Sequence, residues 1–308
     1  MKKLLPVLIL LSACSSTPGN VVRKTAADGD GKTEEDYSWV EQLNFDRKAE
    51  TKYQADKDEF NISSEEPGHA LVKESLSGLS AVRLEDAISK TDDSLNKISI
   101  KCYQNKFEEG FKIADEVYNQ FKNNTSYWNQ IGTCYALKSD YAKAILFYNK
   151  SRDLDSKFIP PINNLGVVYV RQGKFQKALA AFKKASALNN FSVTPAYNLA
   201  HLYLRFGTVG KAMPIFQGLQ KKSPMDVEVN SALASALLLK GDYSSAAQIY
   251  GLLDKETLAK PGIGLNYAVA LKLLNRPIDA QTVFGNISVA TNAEIKEYAQ
   301  KVEKFIRK

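Results

Sequence analysis

The sequence predicts an all-α superhelical solenoid of about six helix-turn-helix repeats with helical caps, preceded by a flexible linker. Three recurrences predict it. A small residue returns every 34 positions, at Gly132, Gly166, Ala200, Ala234 and Ala268. An alanine keeps the same period at Ala144, Ala178, Ala212, Ala246 and Ala280. An aromatic follows each alanine by four, at Tyr148, Phe182, Phe216, Tyr250 and Phe284. Such a period marks stacked helical hairpins, each of which buries its apolar face only against its neighbours.

From the N-terminus, residues 1–13 read as an export signal: Lys2 and Lys3, then the short apolar run Leu4 to Leu11, then small residues. That run is too short to span a bilayer as a helix. Leu11-Ser12-Ala13-Cys14 resembles a bacterial lipobox. The resemblance implies that Cys14 carries a covalent diacylglyceryl and N-acyl lipid and becomes the mature N-terminus. Ser15 after it, by analogy with enterobacterial lipoproteins, implies the periplasm-facing side of the outer membrane. Several acyl chains hold firmly where one chain binds only marginally. The expected membrane contact is through this anchor alone.

Residues 14–66 form the linker. Its part from 28 to 66 holds thirteen acids against five bases, a net charge of −8. Poor in apolar residues, it lacks the means to build a core. As a coil of roughly 50 residues it would reach about 40 Å on average. Tyr37, Trp39, Val40, Leu43 and Phe45 interrupt it with an apolar cluster. The chain totals +7, and residues 1–27 hold four bases and no acid, so the body from 67 to 308 carries +11. A basic body suits an acidic partner, lipid head groups or contact with the anionic cell wall. An exported protein is not expected to bind nucleic acid.

Residues 67–90 suggest N-terminal capping helices through Leu71, Leu76, Leu79, Val82, Leu84 and Ile88. The repeats follow at 91–124, 125–158, 159–192, 193–226, 227–260 and 261–294. The best-formed read Trp128-x-x-Ile131-Gly132-x-x-Tyr135 and Ile162-x-x-Leu165-Gly166-x-x-Tyr169. These resemble the tetratricopeptide repeat (TPR). Positions 4, 7, 8 and 11 share one stripe of the first helix, and position 8 must be small where the second helix crosses. Position 15, the turn, holds Gly173, Gly207 and Gly241, with Asn105 and Asn275 in the first and sixth repeats. Those residues best tolerate a left-handed backbone. The first repeat departs, with Ile98 at position 8 and Gly110 where the alanine stands elsewhere; the sixth has Gly264 at position 4. Thr291 to Lys308 reads as a final helix that caps the stack over 295–308, with Ile295, Tyr298, Val302 and Phe305 inward.

Chemistry has little to work with. There are two histidines, His69 and His201, and no zinc-spaced cysteines, P-loop or nucleophile elbow. No catalytic residue, metal or cofactor is expected beyond the lipid on Cys14. Cys102 and Cys134 remain as a pair. The simpler expectation is two buried thiols, with a disulfide only if their Cα atoms come within about 7 Å.

The TPR resemblance implies a concave face lined by positions 2, 5, 6, 9, 12 and 13 of the first helices. In this register the groove residues are Asn129, Gln130, Asn163, Asn164, Arg171, Tyr197, Asn198, His201, Arg205 and Asn266. Side-chain amides can hold an extended peptide backbone, since each both donates and accepts. The carboxylate-clamp variant needs Lys or Arg at position 5, where Asn129 and Asn163 stand, so binding of that kind is not expected. Leu238, Leu239, Leu265, Val269 and Leu273 make the far end apolar, either for a docking helix or for cover by the C-terminal helix. The expected function is a non-enzymatic outer-membrane lipoprotein scaffold whose groove binds an envelope protein and supports assembly of a pilus, secretion or motility complex. Lipobox plus repeats resembles the pilotin lipoproteins of type IV pili, the lipoproteins of tight-adherence pili and the repeat lipoproteins of gliding motility. The alternative is a regulator of periplasmic peptidoglycan synthases or hydrolases.

Overall fold

The structure, a computed structural model, describes residues 93–188, 193–288 and 293–308. The lipobox, the acidic linker and the capping helices expected over 67–90 lie outside the described residues. Among the described residues there are fourteen helices and no strand. They fall into two compact units that divide after Leu188.

The first unit contains α1 (Ser94–Tyr103), α2 (Phe107–Phe121), α3 (Thr125–Leu137), α4 (Tyr141–Leu154), α5 (Ile159–Arg171) and α6 (Phe175–Leu188). Consecutive helices pair as hairpins, and the first helices α1, α3 and α5 lie side by side. The second unit contains α7 (Val193–Arg205), α8 (Val209–Lys222), α9 (Val227–Lys240), α10 (Tyr243–Gly251), α11 (Lys255–Leu258), α12 (Pro261–Leu273), α13 (Pro277–Gly285) and α14 (Ala293–Arg307). The all-α hairpin stack predicted from the period is what forms in each unit.

Local chemistry sets the helix ends. Asp93, Asn124 and Asp226 accept the N–H two residues on, and Asn124 and Asp226 also the third, capping α1, α3 and α9. Prolines open α12 and α13, where a missing N–H costs nothing. Every hairpin turn is left-handed at position 15: Gly173, Gly207 and Gly241 at φ 73, 68 and 90°, Asn105 and Asn275 at 62 and 60°. Ser139 takes the same backbone at φ 64° without being glycine or asparagine.

Ring packing explains the small residue at position 8. A Cβ on Gly132 would stand 2.6 Å from the Tyr148 ring, and one on Gly166 would stand 2.5 Å from Phe182. The aromatic sixteen residues on thus presses directly against the first helix of its own hairpin. The recurring alanines from Ala144 to Ala280 are fully buried beneath it.

The departures have equally local causes. Cys102 and Cys134 form a disulfide between α1 and α3, with Cα atoms 5.2 Å apart. This corrects the expectation of two free thiols: adjacent first helices lie close enough for residues at positions 12 and 10 to meet. A Cβ on Gly110 would stand 2.7 Å from the Cys102 sulfur. The first repeat therefore carries glycine where the others carry alanine because the bridge fills that space. In the fifth repeat the second helix stops at Gly251, and the short α11 follows, capped by Asp254 on Thr257 N at 2.8 Å. Any side chain at Gly264 would overlap the Leu258 carbonyl oxygen.

Helix α14 covers the apolar end of the second unit. Tyr298, Val302 and Ile306 are buried there, while Phe305, expected inward, is only half-buried. Leu238, Leu265 and Val269 are buried as well. The C-terminal helix packs on α12 and α13, while Leu239 and Leu273, of the same expected apolar face, stay half-buried.

Candidate partner-binding faces

In the first unit the amides of positions 5 and 6 meet across the helices. Asn163 Nδ2 donates to Asn164 Oδ1 at 3.4 Å, and Asn164 Nδ2 donates to Asn129 Oδ1 on α3 at 3.1 Å. Asn129 and Asn163 are buried, whereas Asn164 keeps part of its surface. Asn129 Nδ2 is buried without a hydrogen-bond partner. Arg171 Nη1 donates to the Ala136 carbonyl at 3.3 Å, which holds the guanidinium across from α5 to α3. Gln130 is buried and accepts from the Ser99 hydroxyl on α1. It ties one repeat to the next instead of lining an open face. The accessible part of this face is Asn164 and Arg171, both half-buried, with the buried amides holding Asn164 in place from beneath.

The second unit divides its expected residues differently. Asn198 is half-buried and Arg205 exposed. Tyr197 and His201 turn inward, with ring centroids 4.3 Å apart, and the Phe216 ring stands 5.4 Å from the imidazole. Both imidazole nitrogens are buried without a hydrogen-bond partner. Burial alone pushes the histidine pKa down to about 3, so the ring is neutral at any ordinary pH. Asn266 is buried in a chain of hydroxyls and amides. Tyr298 OH donates to Asn266 Oδ1 at 3.0 Å, and Asn266 Nδ2 donates to Ser235 Oγ at 3.4 Å. Ser235 Oγ in turn lies 2.8 Å from Tyr250 OH. The C-terminal helix thus seals Asn266 away from any outside peptide.

Two features escaped the sequence reading. Positions 9 and 24 vary together. Where position 24 is tyrosine, position 9 is a hydroxyl that bonds it: Tyr148 OH reaches Thr133 Oγ1 at 3.2 Å, as Tyr250 reaches Ser235. Where position 24 is phenylalanine, position 9 is Val167, His201 or Val269. Comparing the two columns, instead of each alone, would have shown it. The second feature is charge. Residues 156–225 hold ten bases and no acid, whereas the rest of the body holds 22 bases and 21 acids. A whole-body sum of +11 hides that nearly all the excess lies in one stretch.

Among the described residues no group of three or more His, Cys, Asp or Glu could hold a metal, and no helix is long and apolar enough to cross a membrane.

Comparison with known proteins agrees with this geometry. Residues 125–158 and 169–236 each match the tetratricopeptide repeat. No curated protein matches the chain in sequence. Among solved structures, the APC/C hetero-tetramer Cut9-Hcn1 aligns with TM-score 0.58 and 15% identity over 73% of this chain and 45% of that one. This chain therefore spans under half the length of that protein. Pseudomonas aeruginosa pilF aligns with TM-score 0.56 and 15% identity over 71% of this chain and 98% of its own. A tetratricopeptide repeat protein of Parabacteroides merdae ATCC 43184 aligns with TM-score 0.50 and 17% identity, over 73% and 90%. At these identities the likeness is one of fold. Residues 125–158 and 169–236 are tetratricopeptide repeats, set in an all-helical stack of the same kind.

Proposed function

We propose that this chain is a non-enzymatic, lipid-anchored adaptor on the periplasmic side of a bacterial outer membrane. Its first-helix faces hold a protein partner and support assembly of an envelope machine such as a pilus, secretion or motility complex. The fold supports the coarser part, since stacked repeats of this kind are protein-binding scaffolds. The observation that carries the address is the Cys102–Cys134 disulfide. Structural disulfides persist in oxidising compartments and are rare in the cytosol, which agrees with the export signal and lipobox. For the contact itself, the supporting arrangement is Asn164 held by Asn129 and Asn163, with Arg171 fixed beside it. Amides and a guanidinium locked in advance lose little entropy on meeting a peptide.

The test is affinity purification from detergent-solubilised envelopes, comparing the wild type with Asn164→Ala/Asn198→Ala/Arg205→Ala. An envelope protein that disappears with the triple variant is the expected result. Retention of the same partner at wild-type yield would remove the first-helix faces from the mechanism. Cys14→Ala, followed by fractionation, tests the anchor: the protein should leave the membrane fraction.

A further inference from the structure

The first hairpin reverses the size pattern of the others. Elsewhere position 8 is small and the aromatic at position 24 presses on it; here position 8 is Ile98 and position 24 is Ala114. Without a ring at that place, α2 buries only Gly110 and Ala114 of its fifteen residues. Beneath Gly110 lies the disulfide: a Cβ there would stand 2.7 Å from Cys102 Sγ and 3.3 Å from the Ile98 carbonyl oxygen. Cys102 and Cys134 are both 0% exposed. We propose that this bond is made by thiol–disulfide exchange with a protein disulfide while α2 is lifted, and that α2 then closes over it as a lid against other thiols. This holds whichever partner the adaptor binds.

Burial sets the order of events. Exchange requires an incoming sulfur to reach the sulfur it attacks, and two fully buried cysteines admit none. Helix α1 packs directly on α3, so the cysteines can meet before α2 is in place. One cysteine thiolate attacks the oxidant's disulfide, giving a mixed disulfide and freeing one oxidant thiolate. The second cysteine thiolate then attacks the first cysteine's sulfur, which forms the Cys102–Cys134 bond and releases the oxidant as a dithiol. Two electrons pass to the oxidant, together with the two protons that the cysteine thiols gave up. The chain is thus the reduced substrate of a dithiol-oxidising reaction, and α2 closes on the product.

The lid is held lightly. Lys101 pairs with Glu109 at 2.8 Å and Lys138 with Glu108 at 3.4 Å, both acids being exposed, and such surface pairs contribute little. Phe111 meets Tyr135 of α3 at 4.7 Å between ring centroids, with both rings half-buried. The buried tie is Tyr127 OH, which donates to the Ala114 carbonyl at 3.0 Å. Lifting α2 breaks these contacts and leaves α1 against α3, a smaller opening than unfolding of the unit.

The full mature chain carrying Cys14→Ser keeps two of the three cysteines, Cys102 and Cys134. Reduction by dithiothreitol, read by maleimide mass-tagging, tests the lid. The folded chain should be reduced about a hundredfold more slowly than the chain in concentrated urea. Gly110→Ala, which pushes α2 off the sulfur, should speed reduction of the folded chain about tenfold. Tyr127→Phe keeps the ring, loses the tie to Ala114 and should speed it about fivefold. Gly166→Ala crowds Phe182 in the same unit without touching α2, and should leave the rate within about twofold. Oxidised glutathione added during dilution from urea should close the bridge about tenfold faster than when added after the reduced chain has refolded. Equal reduction of folded and unfolded chain, or no response to either α2 variant, would overturn the lid. Equal acceleration by Gly110→Ala and Gly166→Ala would overturn it in favour of unfolding of the whole unit. Equal oxidation before and after refolding would overturn the order of bond, then closure.

Discussion

His201 stands against Tyr197 and Phe216 with neither ring nitrogen bonded. Its folded pKa, about 3, lies below the ordinary 6.5, so below pH 6.5 the unfolded chain takes up a proton that the folded chain refuses. Stability is therefore full above pH 6.5 and falls by about 1.4 kcal/mol per pH unit as the pH drops toward 3. Urea titrations at pH 7 and pH 5 should differ by about 2 kcal/mol from this residue. His201→Phe should erase that difference and raise stability at neutral pH, because two unsatisfied nitrogens leave the interior. Tyr250→Phe should do the opposite, costing about 1 kcal/mol by taking one bond from Ser235. The sequence placed His201 correctly at position 9 of its repeat. It could not show that the ring nitrogens go without a partner, because that depends on Phe216 offering no hydroxyl where Tyr148 and Tyr250 do.

Elements are joined here by rings and by one covalent bond. Gly166→Ala should destabilise the first unit by about 1–3 kcal/mol in thermal or urea unfolding, because the Phe182 ring leaves no room for a Cβ. Phe182→Leu in the same chain should recover part of the loss. Alanine is native at this position in the next three repeats, so a failure of Gly166→Ala to destabilise would refute the ring-contact account. Reducing the disulfide, or Cys102→Ser/Cys134→Ser, should cost about 3–4 kcal/mol for a loop of this length. Period and turn residues made these hairpins legible in advance, down to the left-handed Asn105 and Asn275. The bridge was not legible, since positions 12 and 10 differ in depth on paper and only the approach of α1 to α3 brings them together. Gly110 was read as degeneracy, although it makes room for the sulfur.

On the scale of the whole molecule, composition hides what position reveals. A +11 body could have spread its charge evenly; here ten of its bases share 70 residues with no acid. At the other end, α14 buries Tyr298, Val302 and Ile306, each contributing about 1.5–3 kcal/mol. Ending the chain at Ser288 should thus leave the second unit insoluble or unfolding at markedly lower urea, as measured by circular dichroism. Full cooperativity in the truncated chain would show that the helix is dispensable.

The Cys102–Cys134 bridge also governs how the chain bears load. Tension between the two ends of the chain would pass through the sulfurs and leave the 31 intervening residues slack, including all of α2. Roughly 100 Å of contour length is thereby locked away until the bond is reduced. In a stretching experiment the oxidised chain should come up short by about that length against the reduced one. Under such a load α1 and the later hairpins would open while α2 stayed shielded behind the sulfurs.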